Sequence, residues 1–284
     1  MKKKLLVGIV CALSMNASAN IVYSNATVTF GGVNPDYDVN SLLTSALLEG
    51  INANDLANTG LGGINNSGLF VETFDKATSL GSGLGTNNPF SEGTTDFNSE
   101  IGDNTSCALN SSGGGVATTG SLNIREDNVG GLAVIGYNDN CYGYTPEDGS
   151  RSGIVNIDYN PILAAAGNLT GAEMGMDYIG FYWATIDTYN TFTFINDGLT
   201  VLTLTGTDIK NHITDLNLGR SGQYVNVFFN NGVYFDELQV DSTRRAAEFD
   251  NIVNRIVAVQ VPEPSTLVIL SLGLMGLGAR RFKN

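Results

Sequence analysis

The chain has 284 residues, 42% of them hydrophobic, with 35 glycines and a formal charge of −14. That is enough apolar material for a core, which excludes a wholly disordered chain. The surplus of acid would repel phosphate backbones, which excludes a nucleic-acid partner.

The chain opens Met1-Lys2-Lys3-Lys4, runs apolar from Leu5 to Leu13, and reaches Ala17-Ser18-Ala19. A basic start, a short apolar helix and an A-x-A site form a secretory signal peptide, with signal peptidase cutting after Ala19. Residues 1–19 are therefore set aside as a signal helix, and residues 20–260 form the body. Between residues 20 and 261 the chain holds eight basic and 27 acidic residues, a net −19. Such a surface suits divalent cations.

Within the body, Ile21 to Phe30 is rich in β-branched residues and predicts a strand. Asp38 to Ile51 has Leu42, Leu43, Ala46 and Leu47 on one helical face and Gly50 at its end, and predicts a short helix. Leu69 to Phe74 predicts a strand, and residues 75–115 a long decorated loop. An exported chain meets an oxidising compartment, so Cys107 and Cys141 are candidate partners in a disulfide. Strands are then predicted at Val116 to Ile124, Leu132 to Tyr137, Gly153 to Tyr159 and Met176 to Ile186. Two hairpins follow, Thr191–Ile195 with Leu199–Thr205 around Asn196-Asp197-Gly198, and Tyr224–Phe229 with Val233–Val240 around Asn230-Asn231-Gly232. Asn-Gly and Asp-Gly supply the positive φ angles of tight turns. Ala246 to Val259 predicts the terminal strand. About ten short strands with almost no helix predict an all-β fold, an antiparallel β-sandwich. A jelly-roll-like order is favoured, because it would place the first and last body strands side by side.

Residues 261–284 differ in kind. Pro262-Glu263-Pro264 cannot be interior helix or strand, since proline lacks the N–H donor. Ser265 to Ala279 is uncharged. As a helix it would be about 22 Å long, short of the roughly 30 Å hydrocarbon core, so it is a short and weak transmembrane helix. Arg280, Arg281 and Lys283 would hold its end in the cytoplasm. A weak anchor behind a stiff break suits removal by a processing enzyme.

These three parts, Pro-Glu-Pro, a glycine-containing apolar helix and an arginine-rich end, closely resemble the PEP-CTERM sorting segment of exopolysaccharide-making Gram-negative bacteria. The same segment is also labelled an ice-binding protein C-terminal domain, a name that implies nothing about ice. The resemblance implies recognition by an exosortase, cleavage near Pro262-Glu263-Pro264, transient inner-membrane anchoring, and delivery to the cell surface or beyond. More loosely, the body resembles exosortase-dependent surface proteins without assigned activity. That likeness rests on Val71-Glu72-Thr73-Phe74-Asp75, Tyr178-Ile179-Gly180-Phe181-Tyr182-Trp183 and Glu248-Phe249-Asp250-Asn251-Ile252. It implies a jelly-roll-like body with no catalytic residues to carry over.

Three kinds of site were weighed. Hard cations take several carboxylate and carbonyl oxygens; Glu72 and Asp75 end an early strand, Glu248 and Asp250 lie on the last, and adjacency would make them ligands of a structural calcium ion. Against this, 27 acids in the body make chance groupings common. Sugar rings stack on flat aromatic faces, which makes Tyr178, Tyr182 and Trp183 candidate ligand contacts. Alternation puts Phe181 and Trp183 on one face and Tyr178 and Tyr182 on the other, and one set must be core. Tyr137, Tyr142 and Tyr144 in a polar loop are a second candidate surface. For catalysis, His212 is the lone histidine, placed in a polar turn, which excludes multi-histidine metal centres, and no nucleophile motif occurs. The expectation is a non-enzymatic, exosortase-processed surface or matrix protein with a structural or adhesive role in the exopolysaccharide layer, its partners being exopolysaccharide or other surface proteins. The alternatives are a calcium-assisted carbohydrate-binding module and a glycoside hydrolase, whose carboxylate pair has no fixed spacing.

Overall fold

The computed structural model describes residues 20–31, 68–72, 74, 116–126, 141–146, 150–184, 186–215, 222–230 and 232–259. The expected helix at 38–51, the strand at 132–137, Cys107, the side chain of Cys141, Asp75, Tyr137, and both chain ends lie outside the described residues. Among the described residues no helix is long and apolar enough to cross a membrane.

The elements in chain order are β1 (Ile21–Val22), β2 (Ala26–Phe30), β3 (Leu69–Glu72), β4 (Ala117–Gly120), β5 (Asn123–Glu126), β6 (Cys141–Thr145), β7 (Gly153–Asp158), α1 (Asn160–Thr170), β8 (Met174–Ala184), β9 (Asn190–Asn196), β10 (Leu199–Thr205), α2 (Gly206–Asp215), β11 (Gly222–Phe229), β12 (Glu237–Ser242) and β13 (Ala247–Ala258). They form two antiparallel sheets. The larger has the order β1-β2-β11-β8-β13-β6-β5, with β3 also paired to β13; the smaller has the order β10-β9-β12-β7-β4. The expected antiparallel β-sandwich is what the chain forms. Its first and last strands are not neighbours, because β11 and β8 stand between β2 and β13.

The inner faces of the two sheets meet over aromatic rings. Trp183 of β8 lies 4.4 Å from Phe192 of β9, and Phe181 lies 4.7 Å from the same ring. Phe249 of β13 meets Phe192 edge-on at 6.0 Å, and Phe194 meets Phe229 at 5.4 Å. Each buried side chain of this size contributes about 1.5–3 kcal/mol relative to exposure. Strand alternation selects these residues: Ile179, Phe181 and Trp183 on β8, Phe192 and Phe194 on β9, and Val225, Val227 and Phe229 on β11 are spaced two apart and share the inner face.

The expected β9–β10 hairpin forms. Asp197 and Gly198 both take positive φ, 48° and 74°, the two-residue turn whose twist matches that of paired strands. The second expected hairpin does not form. Its Asn230 to Gly232 segment does make a tight turn, with Val233 N–H donating to Asn230 O at 3.1 Å. But β11 pairs with β2 and β8, whereas β12 pairs with β7 and β9. The turn carries the chain from one sheet to the other. Likewise the single strand expected at 116–124 is two, β4 pairing β7 and β5 pairing β6. They are joined through Gly120 at φ 91°, where a Cβ would strike the backbone of Ile154.

Both helices were missed by the strand reading. α1 starts with a proline in its first turn, where the lost N–H costs nothing, and ends at Gly171 with φ 70°. The Asp158 carboxylate accepts the Asn160 N–H at 2.8 Å. α2 is capped reciprocally: Thr205 Oγ1 accepts the Asp208 N–H at 3.1 Å, and the same hydroxyl donates to Asp208 Oδ2 at 2.6 Å. His212 therefore lies on a helix and not in a turn, its ring 5.4 Å from that of Phe30.

Candidate functional site

β13 is the hinge of the larger sheet. β8 runs along one side of it. On the other side the partner changes, from β6 at Ala247–Phe249 to β3 at Ile252–Arg255. The change falls at a β-bulge: Asp250 opposes Tyr182 and Val253 opposes Gly180, so β13 has one residue more than β8 over this stretch. Asn251 absorbs the extra length at φ 51°, a left-handed conformation that asparagine tolerates better than most residues. Two side chains fix it. Asp250 Oδ1 accepts the Asn251 N–H at 2.6 Å, and the Tyr224 hydroxyl donates to the Asn251 carbonyl at 2.9 Å.

The faces follow from alternation. Ala247 and Phe249 point into the core between the sheets. Glu248 and Asp250 therefore point to the outer face, opposite Tyr144 and Tyr182 respectively. Tyr142, Tyr144, Tyr182 and Tyr224 form one buried cluster there, and Glu248 and Asp250 are each 1% exposed. Glu72 is two residues from the core residue Phe70, shares its face of β3 and points inward. Its Oε1 accepts the Phe74 N–H at 2.7 Å. Burial raises the pKa of the Tyr159 hydroxyl, the nearby Glu72 carboxylate adds to that, and the neighbouring Asn254 amide works against both. β3 and β13 are neighbours, with Glu72 opposite Ile252, yet Glu72 and the Glu248–Asp250 pair are on opposite sides of the sheet. Among the described residues no group of three or more acidic, histidine or cysteine side chains is placed to hold a metal ion.

The aromatic candidates divide as alternation requires, and neither set is open. Trp183 is core. Tyr178 and Tyr182 are 0% and 4% exposed on the other face, and the Tyr178 hydroxyl donates to Asn226 Oδ1 at 2.7 Å. Tyr142 and Tyr144 lie on β6 and not in a loop, and they are equally closed. Glycines make the room for this layer. A Cβ on Gly180 would run into the Tyr178 hydroxyl and sit 2.7 Å from Tyr224 Cε1.

Two cavities open at the ends of the smaller sheet. At one end a cavity of about 520 Å³ is lined by Asn160, Glu173, Met174, Asp197, Tyr234 and Asp236. The Asp236 carboxyl titrates above its usual range, chiefly through burial, with Asp197 and Asp158 adding repulsion against the Asp197 N–H that Asp236 accepts. Glu237 is raised by burial and by repulsion from Asp158 and Asp236. At the other end Arg151, Thr243, Arg244 and Arg245 line a second cavity. Sequence reading passed over these arginines. The available signal was Arg244-Arg245, the one adjacent basic pair between residues 20 and 261.

Residues 260–281 match the family model of the PEP-CTERM protein-sorting motif. The tail is a PEP-CTERM sorting signal. It contains Pro262, Glu263, Pro264, Arg280 and Arg281, and implies processing by an exosortase and export across the membrane to the surface or the extracellular space. No curated protein matches the chain. Among solved structures, the enzymatically active domain of bacteriophage CBA120 tailspike protein 4 is similar at 10% identity and a TM-score of 0.23, over 50% of this chain and 19% of that one.

Proposed function

We propose that this PEP-CTERM protein is a non-enzymatic component of the extracellular layer, with a structural or adhesive role in exopolysaccharide. The observation that carries the reading is the sorting motif at residues 260–281. Two further features support it. Around β6, β8 and β13 the large sheet is closed on both faces, which suits a rigid module more than an open groove. His212 is set against Phe30, far from the role of a general base in a cleft. The carbohydrate-module alternative draws no support from Tyr178, Tyr182 and Trp183, which are all buried.

Fractionation of the producing cells tests the sorting step. The native chain is expected at the surface or in the medium. A chain with Pro262, Glu263 and Pro264 all changed to alanine is expected to stay with the inner membrane. Equal release of both would overturn exosortase-dependent sorting.

A further inference from the structure

We propose that Arg151, Thr243, Arg244 and Arg245 form an oxyanion-binding site that holds the carboxylate or sulfate groups of an acidic polysaccharide. The proposal deepens the extracellular-layer reading and rests on it for the setting, though not for the chemistry.

Strand register builds the site. β12 ends with Ser242 opposite Gly153 of β7 and opposite Asn190 of β9. The β12–β9 ladder continues one step, as Thr243 N–H donates to Tyr189 O at 3.2 Å. Beyond the Ser242–Gly153 pair both segments leave the sheet, and Arg151 on one and Thr243, Arg244 and Arg245 on the other line one cavity. The Arg245 Nε donates to the Ser150 carbonyl at 3.2 Å, which ties the two segments together. The guanidinium of Arg244 stands 5.8 Å above the centre of the Tyr189 ring. The Tyr189 hydroxyl is shared between Asp187 Oδ2 at 2.7 Å and the Arg245 carbonyl at 2.6 Å. The result is a cavity of about 450 Å³ lined by three arginines and a threonine.

The charge arrangement is what asks for a ligand. The body has eight basic residues against 27 acidic ones, and three of the eight meet at this one place. Two other described basic side chains are matched: Arg255 forms a two-pronged pair with Asp177 at 2.7 and 2.9 Å, and Lys210 is 3.9 Å from Asp187. Among the described residues neither Arg151 nor Arg244 makes an ion pair. Asp187, an acid beside Tyr189, is already engaged by Tyr189 and Lys210. Guanidinium forks match the two oxygens of a carboxylate or sulfate, and Arg244 is held over an aromatic face that orients it.

Polymer chemistry narrows the partner. A densely charged chain such as duplex DNA, with about one charge per 1.7 Å, would meet repulsion from the rest of the body. A sparse polyanion with one acid per sugar can seat single groups at the arginines. The acidic cluster near Asp236 lies at the far end of β7 and β12, roughly 20 Å away at about 3.3 Å per residue. That is beyond the Debye length of about 8 Å at physiological salt. A second copy of the body, residues 20–261, would bring its own net −19, which disfavours self-association through this site.

Affinity electrophoresis of the full chain purified from the producing cells tests this. Gels would carry polygalacturonate, dextran sulfate or neutral dextran. Retardation is expected on the two anionic polymers and not on dextran, and it should weaken as salt rises. The difference between polygalacturonate and dextran sulfate identifies whether carboxylate or sulfate is preferred. The double variant Arg151→Gln, Arg244→Gln should bind about tenfold or more weakly, the scale of losing a charge-assisted hydrogen bond. Arg244→Lys should fall between, and Lys210→Gln should match the native chain. Unchanged thermal melts would show that all three variants are folded. Equal retardation of the double variant, or equal retardation by dextran, overturns the site. So does a loss of self-association in the double variant with polymer retardation intact, which would assign the arginines to another copy. Surface fractionation is a separate readout, so failure of sorting and failure of this site are told apart.

Discussion

The two faces of the larger sheet use the same strands to opposite chemical ends. On the inner face of β8 and β13 stand Phe181, Trp183 and Phe249, packed on the smaller sheet. On the outer face of the same strands stand Tyr178, Tyr182, Glu248 and Asp250, which are just as closed to solvent. Alternation normally separates a buried apolar side from a wet polar side. Here it separates two kinds of interior. The inner one is held by ring packing, which tolerates rearrangement. The outer one is held by hydrogen bonds, where a missing partner leaves a polar group stranded at a cost.

That contrast can be broken from either side. The largest effect is expected from Trp183→Ala on the inner face, which should lower unfolding stability by about 3–5 kcal/mol in urea titration, because a ring-sized cavity opens between the sheets. A loss under 1 kcal/mol would mean that the two sheets do not depend on this contact. On the outer face, Gly180→Ala should cost about 1–3 kcal/mol by overpacking the Tyr178 and Tyr224 rings, with near-ultraviolet circular dichroism of the tyrosines changing alongside. A neutral result would show that the outer layer is loose. Tyr178→Phe keeps the ring and removes one hydrogen bond to Asn226. It should cost about 1–2 kcal/mol, a larger penalty than the same change would bring at an exposed tyrosine.

The smallest effect sharpens the comparison with a carboxylate that water does reach. Asp236 is partly exposed and its carboxyl is raised chiefly by burial. A carboxyl with a folded pKa above its unfolded value is a penalty on the folded state. That penalty is fully present above the folded pKa and vanishes as pH falls below the unfolded value near 4. Asp236→Asn should therefore stabilise the chain at neutral pH by roughly 0.5 kcal/mol or less, given solvent screening, while keeping an oxygen for the Asp197 N–H. Thermal melts at pH 7 and pH 3.5 should show the advantage shrinking in acid. An advantage independent of pH would mean that charge is not its cause.

Much of the fold is visible in the chain itself. The β-branched run of Ala26–Phe30, the apolar alternation of β8 and the Asp197-Gly198 turn are local signals, and each appears where local physics puts it. The errors are also local in origin. The turn at Asn230–Gly232 is real, but a tight turn does not say which sheet receives the next strand. Helix α1 hides behind Asn160-Pro161, a pair that reads as a breaker until the first-turn exemption for proline is applied. For the sites, the outcome depends on side. Glu72 and Glu248 lie on neighbouring strands as the cation argument needed, but one bulge residue, Asn251, and the parity of alternation send them to opposite faces.

By itself, then, the order of residues settles the addresses and the material: a sorting motif in the last residues, an acidic exported body, and short antiparallel strands punctuated by glycine and asparagine. These follow from nearest-neighbour chemistry, which acts over a few residues and survives without the rest of the molecule. Only the tertiary structure decides that the centre of one sheet is buried on both faces, that the tyrosine row on its outer face is closed in a polar layer, and that Arg151 and Arg244, 93 residues apart in the chain, line one cavity. Those facts depend on strand register and on which surfaces come together, and both are set by burial summed over the whole chain.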